Sequence, residues 1–303
     1  MNAIGDAYLS ASAIPILRSY WADEKNEIHF VHSSKADFLI KELDIDKNFS
    51  LKRKSIFNVI NTIFNLRENE YDIVLCPFPG RLNSIFYSLC NGKKKSGFIN
   101  FKKVESWDDK VMPLNINGEN SNINWNPDQN FLKRVQLCLE GVDVKIKSEI
   151  SKLQFPLLED MSTAKNNKEY VLFHFNSRIP EKNISDELLI KIIEAAKKEI
   201  PDLKLLDKPD IINYLDDKYV ESINTQSLKD LVNLVKNCTL FIGVDSFPIH
   251  IADAYNKKII CFIKTSNLRS ILKNMENKYP IDIEQSNHLI IQQFTEFLNR
   301  AIH

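Results

Sequence analysis

Short apolar runs alternate with amphipathic helical patterns along this chain, and this alternation constrains the fold more than any other feature. The second half carries apolar runs at Tyr170–Phe175, Leu203–Leu206, Thr239–Gly243 and Lys258–Ile263. Helical spacing follows over Ile184–Ile200, with Ser185 as the predicted N-cap, and over Leu228–Val235. The pattern predicts βαβ units in a mainly parallel sheet, which is an α/β, doubly wound architecture.

The first half shows the same alternation less regularly. The patterns predict helices over Ala7–Trp21 and Arg81–Cys90 and strands over Glu27–Val31 and Asp72–Cys76. The stretch from Gly92 to Asp128 is typical of loops around short strands.

A polar run at Ser162–Glu169 predicts a linker between two domains, and the chain length is enough for two cores. We therefore expect Rossmann-like domains over residues 1–160 and 161–286. A last helix within 287–303 is expected to pack back on the first domain. Doubly wound sheets bind ligands at the carboxyl ends of their strands, so functional residues should follow those ends.

Composition narrows the function classes. Of 303 residues, 44% are hydrophobic and 26% are charged, which is ordinary for a globular protein. Lys+Arg and Asp+Glu balance at 40 each, so a globally cationic surface, and with it a nucleic-acid partner, is not expected. The five cysteines lack CxxC spacing, which argues against a redox centre or a zinc site.

Targeting patterns are also missing. No apolar run reaches 18 residues, and the N-terminus lacks a signal-peptide pattern. Most of the cysteines lie in apolar or amphipathic runs, as is typical of buried thiols in a reducing compartment. We expect a cytoplasmic protein.

The most informative segment runs from Phe241 to Ala254. An apolar strand there is followed by Asp245 and Ser246, and Pro248 stands where the first residue of a helix is expected. The N-terminus of such a helix suits a phosphate or pyrophosphate group. The alternative is structural: Asp245 or Ser246 is only an N-cap, and His250 packs on the helix.

A second candidate is the polar loop after the strand Tyr170–Phe175. It carries Ser177, Arg178 and Lys182, which would lie at the same sheet edge as Asp245. Hydroxyl and cationic groups there could hold a leaving diphosphate. The alternative is an ordinary solvated loop.

A third candidate is Asp6, which follows Gly5 and precedes the first predicted helix. Its carboxylate could act as a general base, and Gly5 would allow a close backbone approach. The alternative is that Asp6 only caps a helix beginning at Ala7.

Together these segments resemble glycosyltransferase family 9, the heptosyltransferases. The resemblance lies in Gly5-Asp6, in the helical Pro15-Ile16-Leu17-Arg18, in the loop with Ser177 and Lys182, and in Gly243–Ala252. It implies a GT-B fold, with two Rossmann-like domains facing a central cleft. It also implies an inverting, metal-independent enzyme that moves a heptose-like sugar from an ADP-linked donor to lipopolysaccharide or another cell-surface glycan.

The resemblance also assigns roles. Asp6 would be the base, and Lys182, Ser177 and the backbone N–H groups near Ser246, Phe247, Pro248 and Ile249 would stabilise the leaving diphosphate. Asp245 would bind hydroxyls of the donor sugar, and the role of His250 would be positional. No metal and no cofactor other than the nucleotide-sugar substrate is implied.

Two departures from the family pattern keep alternatives open. Phe247 stands where the family has a glycine, and only Met1–Ile4 precede Gly5 where members have an apolar strand. The alternative function is therefore a catalytically weak or inactive GT-B relative that binds nucleotide or glycan without transfer. A related GT-B enzyme such as a nucleotide-sugar epimerase is a further option.

Basic clusters suggest where an acceptor would bind. Lys52, Arg53 and Lys54, and also Lys93–Lys95, fall in the first half, where a phosphorylated or acidic glycolipid could use them. The enzyme would then touch the cytoplasmic face of the inner membrane peripherally. The alternative is solvated surface, and the tryptophans Trp21, Trp107 and Trp125 are assigned no role.

Overall fold

The computed structural model describes residues 4–22, 26–41, 43–52, 55–78, 80–99, 112–114, 131–146, 170–177, 179–200, 203–206, 220–225, 227–264 and 276–302. The chain forms two compact units, Met1–Leu153 and Gln154–His303. This division falls close to the predicted boundary at residue 160. The predicted linker Ser162–Glu169 lies outside the described residues.

The first unit begins with helices and then alternates them with strands. Its helices are α1 (Ile4–Ala11), α2 (Ala13–Tyr20), α3 (Asp37–Ile40), α4 (Ile56–Arg67), α5 (Arg81–Leu89) and α6 (Phe131–Glu140). Its strands are β1 (His29–Ser33), β2 (Lys47–Leu51), β3 (Glu70–Cys76), β4 (Asn91–Ile99) and β5 (Met112–Leu114).

These strands form two separate sheets. β1 pairs in parallel with β2, while β3 pairs in parallel with β4, and β5 adds antiparallel to β4. Among the strands that the structure describes, β1 and β3 have no other strand neighbour. Both line a cavity of about 900 Å³, which helices α2 and α6 also border.

One prediction for the first unit is wrong. Gly5 and Asp6 do not precede a helix at Ala7, because α1 begins at Ile4 and contains both. The prediction of loops around short strands over Gly92–Asp128 is tested only in part: β4 and β5 are the described strands of this region, and residues 100–111 and 115–128 lie outside the described residues. The lysines of β4 are accommodated by partners: Lys93 pairs with Asp72 at 2.8 Å, and Lys94 with Asp143 at 2.9 Å.

The second unit contains one six-stranded sheet. Its strands are β6 (Val171–His174), β7 (Leu203–Leu206), β8 (Val220–Ile223), β9 (Leu240–Val244), β10 (Lys258–Ile263) and β11 (Lys278–Asp282). Their order is β11-β10-β9-β6-β7-β8, and every pair is parallel. This is the strand order of the Rossmann fold, and it confirms the predicted doubly wound sheet.

The helices of this unit are α7 (Asp186–Lys197), α8 (Leu228–Asn237), α9 (Phe247–Ala254) and α10 (Asn287–Ile302). Ser185 is the N-cap of α7, as predicted, and its hydroxyl accepts a hydrogen bond from the backbone N–H of Leu188. The buried residues of α10, among them Phe294 and Leu298, belong to the core of the second unit. Packing of α10 on the first unit stays a prediction.

The sequence patterns missed β8 and β11. The four residues of β8 include Glu221 and Ser222, which weaken its apolar signal. Strand β11 contains Pro280, which lacks an N–H, but β11 is the edge strand and pairs only with β10 among the described strands. Proline is tolerated at a sheet edge because that N–H is not needed there.

Candidate functional site

The chain reverses its direction of winding between β6 and β9, which lie side by side in the middle of the second sheet. From β6 the chain winds outward to β7 and β8, and from β9 it winds the other way to β10 and β11. Loops at the carboxyl ends of two such strands leave in opposite directions and open a crevice between them. Residues directly after His174 and Val244 are therefore placed where this fold binds ligands.

Gly243 makes the close approach of these two strands possible. It lies opposite His174 in the sheet register. A Cβ atom at this position would collide with the backbone carbonyl oxygen of His174. Only glycine lacks a Cβ, so only glycine allows β9 to lie this close to β6 at this position. Asp245 and Ser246 follow two and three residues later and therefore lie beside the end of β6.

Lys182 and Asp245 form an ion pair at this edge. The Asp245 side chain is 10% exposed and the Lys182 side chain 28% exposed, so Lys182 is the more exposed partner of the pair. Lys182 ends a short 3-10 helix, Pro180–Lys182, in the loop after β6. The structure thus brings together two residues that the sequence analysis assigned to the same ligand.

The neighbouring Cys261 of β10 does not add a nucleophile. Burial raises the pKa of its thiol well above the usual value, and the nearby Asp245 carboxylate raises the pKa further. The thiol stays protonated at neutral pH, and a protonated thiol is a poor nucleophile.

Asn183 holds the loop that carries Lys182. Its side-chain oxygen accepts a hydrogen bond from the backbone N–H of Ser177 at 2.6 Å, and its side-chain nitrogen donates to the Ser177 carbonyl at 3.0 Å. The Ser177 hydroxyl accepts a hydrogen bond from the backbone N–H of Ile179 at 3.3 Å. These bonds fold the loop back on itself. Arg178 lies outside the described residues.

His174 is a site residue that the sequence analysis did not assign. Its Nδ1 lies 2.9 Å from the Ser246 hydroxyl, which in turn lies 3.1 Å from the Val244 carbonyl oxygen. The hydroxyl carries one proton, so both contacts are satisfied together only when Nδ1 donates to Ser246 and Ser246 donates to Val244. Burial lowers the pKa of His174 to about 4, so the ring is neutral at physiological pH.

The N-terminus of α9 differs from the predicted phosphate cradle. Pro248 has no N–H, and the backbone N–H of Ile249 donates to the Ser246 carbonyl at 3.2 Å. Of the predicted backbone donors, Pro248 therefore supplies none and the N–H of Ile249 already has a partner in the Ser246 carbonyl. The structural alternative, in which the Ser246 side chain only caps the helix, is not seen: its hydroxyl contacts His174 and Val244 and makes no capping bond.

Two further residues of α9 were predicted to belong to the site. Phe247, at the first helical position, is half-buried, and His250 is buried one turn further along. Both lie in the helix that follows Asp245 and Ser246. Their predicted roles remain predictions.

The remaining predicted site residues lie in the first unit. Asp6 is half-buried in the first turn of α1, and its backbone carbonyl accepts a hydrogen bond from the Ser10 hydroxyl at 2.8 Å. Lys52 is exposed just before α4, and Arg53 and Lys54 lie outside the described residues. Their roles remain predictions.

The second basic cluster has internal partners. Besides the ion pairs of Lys93 and Lys94, the Lys95 ammonium donates to the Cys90 carbonyl at 2.9 Å and lies 5.1 Å from the centre of the Tyr87 ring. Because these lysines already have partners within the chain, the arrangement favours the alternative of ordinary surface for Lys93–Lys95 over an acceptor site.

The described residues contain neither a cluster of metal-ligating side chains nor a helix that could span a membrane. No three His, Cys, Asp or Glu side chains of the described residues converge as metal ligands would. None of the described helices is both long and apolar enough to cross a bilayer.

The chain matches heptosyltransferases in sequence. The model of a family described as glycosyltransferase family 9 (heptosyltransferase) matches residues 60–271. The chain is 26% identical to lipopolysaccharide heptosyltransferase 1 of Campylobacter coli over 305 aligned positions. The alignment covers 92% of this chain and 86% of that protein.

Solved structures match over nearly the whole chain. E. coli heptosyltransferase WaaC with ADP-2-deoxy-2-fluoro heptose aligns with a TM-score of 0.69 at 14% identity, over 99% of this chain and 97% of that one. A family 9 glycosyltransferase from Veillonella parvula DSM 2008 aligns with a TM-score of 0.69 at 15% identity, over 99% and 95%. These similarities show that the fold is GT-B.

Proposed function

We propose that this chain, which belongs to glycosyltransferase family 9, transfers a heptose-like sugar from a nucleotide-diphosphate donor to lipopolysaccharide or another cell-surface glycan. Membership supports the reaction class, and two matched relatives support the substrates. One is named a lipopolysaccharide heptosyltransferase, and the other was solved with an ADP-linked fluoroheptose. We propose an ADP-linked heptose as the donor.

The Lys182–Asp245 pair at the switch point is the observation that carries this proposal. A nucleotide diphosphate is an anion, and the Lys182 ammonium is a cation held at the edge where a Rossmann sheet binds nucleotides. Lys182 would contact the diphosphate and stabilise the charge that grows on it. Asp245 would orient the ammonium and accept hydrogen bonds from the sugar hydroxyls.

Ser177 and Ser246 would complete the donor site. Both hydroxyls belong to loops that leave the carboxyl ends of β6 and β9, and the partners of each fix its position. Phe247, Pro248 and His250 would shape the same region through the backbone of α9. Because the donor already carries an activated sugar, the reaction needs no redox group, and we propose that it needs neither a metal nor a cofactor.

Asp6 would act as the general base. Its carboxylate would take the proton of the acceptor hydroxyl as that oxygen attacks the anomeric carbon of the donor. The new glycosidic bond forms while the bond from the anomeric carbon to the diphosphate oxygen breaks, and the bonding electron pair leaves with the diphosphate. Attack opposite the leaving group inverts the anomeric centre.

Lys52, Arg53 and Lys54 would hold the acceptor. Three consecutive basic side chains complement a phosphorylated or acidic glycolipid. Because such an acceptor is anchored in a bilayer, we propose peripheral contact with the cytoplasmic face of the inner membrane.

The test is release of ADP from ADP-heptose in the presence of a lipopolysaccharide-core acceptor. The proposal predicts release that needs both substrates, and a rise in melting temperature with ADP alone, because a ligand that binds only the folded state stabilises it. A melting shift without transfer to any core acceptor would favour the inactive relative. Release of nucleotide without acceptor, with an altered sugar, would favour an epimerase.

Phe247 is the observation that favours the inactive relative, since a half-buried ring stands at the first position of α9 beside the proposed diphosphate site. If its ring obstructs the donor, Phe247→Gly should raise the affinity for ADP. Unchanged affinity would show that the ring does not hinder nucleotide binding.

A further inference from the structure

Helix α4 has two apolar faces. One face packs inward, where Leu66 joins Phe49 and Phe86 in the core and Val59 and Ile63 pack against it. The other face is open to solvent: the exposed fractions are 72% for Ile56, 87% for Phe57, 44% for Ile60 and 60% for Phe64.

These four residues form a continuous stripe, because at 3.6 residues per turn they fall within an arc of about 100°. We call Ile56, Phe57, Ile60 and Phe64 the α4 face. A helix that is apolar on its outer as well as its inner side is normally covered by something. Other exposed large apolar residues in the described parts of the chain are scattered over different elements, for example Tyr20, Leu89 and Leu289.

Charge indicates what covers the α4 face. The helix itself contains no acidic residue, and its one charged residue is Arg67, in the last turn. The exposed Glu68 and Glu70 follow Arg67 directly, so the basic end is the N-terminal one, where Lys52, Arg53 and Lys54 precede the helix in the sequence. Lys52 is exposed just before the N-terminus of the helix. Aromatic and aliphatic side chains flanked by cations are the pattern of helices that lie in the interface of an anionic bilayer.

The size of the face does not select between a bilayer and a second copy of the chain. Four partly exposed side chains present on the order of 500 Å², which is close to the apolar share of the about 800 Å² that each partner buries in a stable protein interface. Charge therefore decides for the bilayer, and a second copy is tested as the competing occupant.

We infer that the α4 face inserts into the headgroup region of a bilayer that contains anionic lipids, with Lys52 on the lipid phosphates. The inference rests on the proposed function, because it places a surface of the enzyme on the membrane that holds the acceptor. It names the membrane-binding element, which the basic cluster alone does not.

The test is co-sedimentation with acceptor-free vesicles of phosphatidylethanolamine and phosphatidylglycerol. The test variant carries Phe57→Asn and Phe64→Asn. The matched control carries Leu289→Asn and Ile302→Asn, which also remove two exposed apolar side chains, 46% and 38% exposed, but from α10. We expect wild type and control to sediment with the vesicles and the bound fraction of the test variant to fall about tenfold.

Phosphatidylcholine vesicles and added salt should weaken wild-type binding, since both remove the attraction to anionic headgroups. A Phe57→Trp variant keeps the face apolar and reports on insertion directly. Its fluorescence emission should shift to the blue on addition of anionic vesicles, which gives a readout that does not depend on the folding of the double Asn variant.

Equal sedimentation of wild type and test variant, or no sedimentation of wild type, would overturn the inference. So would a wild-type dimer that the test variant loses, because the α4 face would then be a self-association surface. The outcome is separable from the transfer reaction: the test variant should glycosylate a soluble acceptor lacking acyl chains at the wild-type rate. Vesicle binding without any transfer would count against the proposed function alone.

Discussion

The two units differ in how their sheets position the proposed site residues. The second unit has one continuous parallel sheet, so the ends of β6 and β9 fix where Lys182 and Asp245 meet. The described strands of the first unit form two smaller sheets, and its proposed catalytic residue, Asp6, lies within a helix rather than at a strand end. A continuous sheet therefore makes the position of a site follow from topology, whereas the role of Asp6 rests on the family resemblance.

Substitution of Asp6 tests the catalytic role proposed for the first unit and has the largest expected effect. If Asp6 is the base, Asp6→Asn should lower kcat about 10²- to 10⁴-fold, because the amide cannot take the acceptor proton. Donor affinity should be unchanged. The control is Asp72→Asn, which removes an exposed carboxylate of the same unit and should leave kcat at the wild-type value.

Steady-state kinetics with saturating donor and acceptor would measure both effects. Wild-type kcat in Asp6→Asn would remove Asp6 from the base role, and the first unit would then contribute binding surface only.

Substitution of Gly243 tests the close contact between β6 and β9 in the sheet of the second unit. A Cβ at Gly243 meets backbone, the His174 carbonyl, whereas a Cβ at Gly92 in β4 meets the Val74 side chain at 2.6 Å. A side chain can move aside more easily than the backbone of a central strand. Gly243→Ala should therefore lower the free energy of unfolding by about 1–3 kcal/mol, and Gly92→Ala by less.

Urea denaturation of the full chain would give the two values. A smaller loss at Gly243 than at Gly92 would show that the centre of the second sheet yields more readily than its close packing implies.

The buried His174 predicts a pH dependence of stability with a defined sign. Folded His174 stays neutral down to a pKa of about 4, whereas an unfolded histidine takes up a proton near pH 6.5. The unfolded state thus binds more protons between these values. The contribution of His174 is full above about pH 6.5 and falls as the pH drops toward 4, by at most about 3 kcal/mol.

The measurement is the melting temperature as a function of pH for wild type, His174→Gln and His288→Gln, the last being an exposed histidine of α10 as control. His174→Gln should flatten the acid side of the profile, and His288→Gln should not. Parallel profiles for all three proteins would show that His174 is not held neutral by the fold.

Sequence patterns predicted most of the second sheet because its central strands are apolar on both faces. Strand Lys258–Ile263, for example, is apolar after its first residue and follows a helical pattern in the sequence. The short strands expected after Gly92 could not be located, because the three consecutive lysines of β4 are atypical of a strand. Pairing with β3 and β5 and the contacts with Asp72 and Asp143 accommodate these lysines in the sheet.

The candidate site was predicted in part. The pattern placed Lys182 and Asp245 at one sheet edge, but a pairing between residues 63 positions apart depends on loop geometry that no local pattern contains. The contact of His174 with Ser246 was missed for the same reason. A signal was present, since a histidine at the end of an apolar strand is a buried polar group and needs a partner.

Lys182 is the cation proposed to bind the nucleotide diphosphate, and the proposed donor site depends on it more than on any other residue. Calorimetric titration of ADP into wild type, Lys182→Met and Lys204→Met tests it, since Lys204 is a similarly shielded, ion-paired lysine of the same unit, on β7. Lys182→Met should weaken ADP binding about tenfold or more, because the ammonium is lost and the Asp245 carboxylate is left to repel the phosphates. Lys204→Met should bind as wild type does. Equal ADP affinity in all three proteins would contradict a donor site at the Lys182–Asp245 pair.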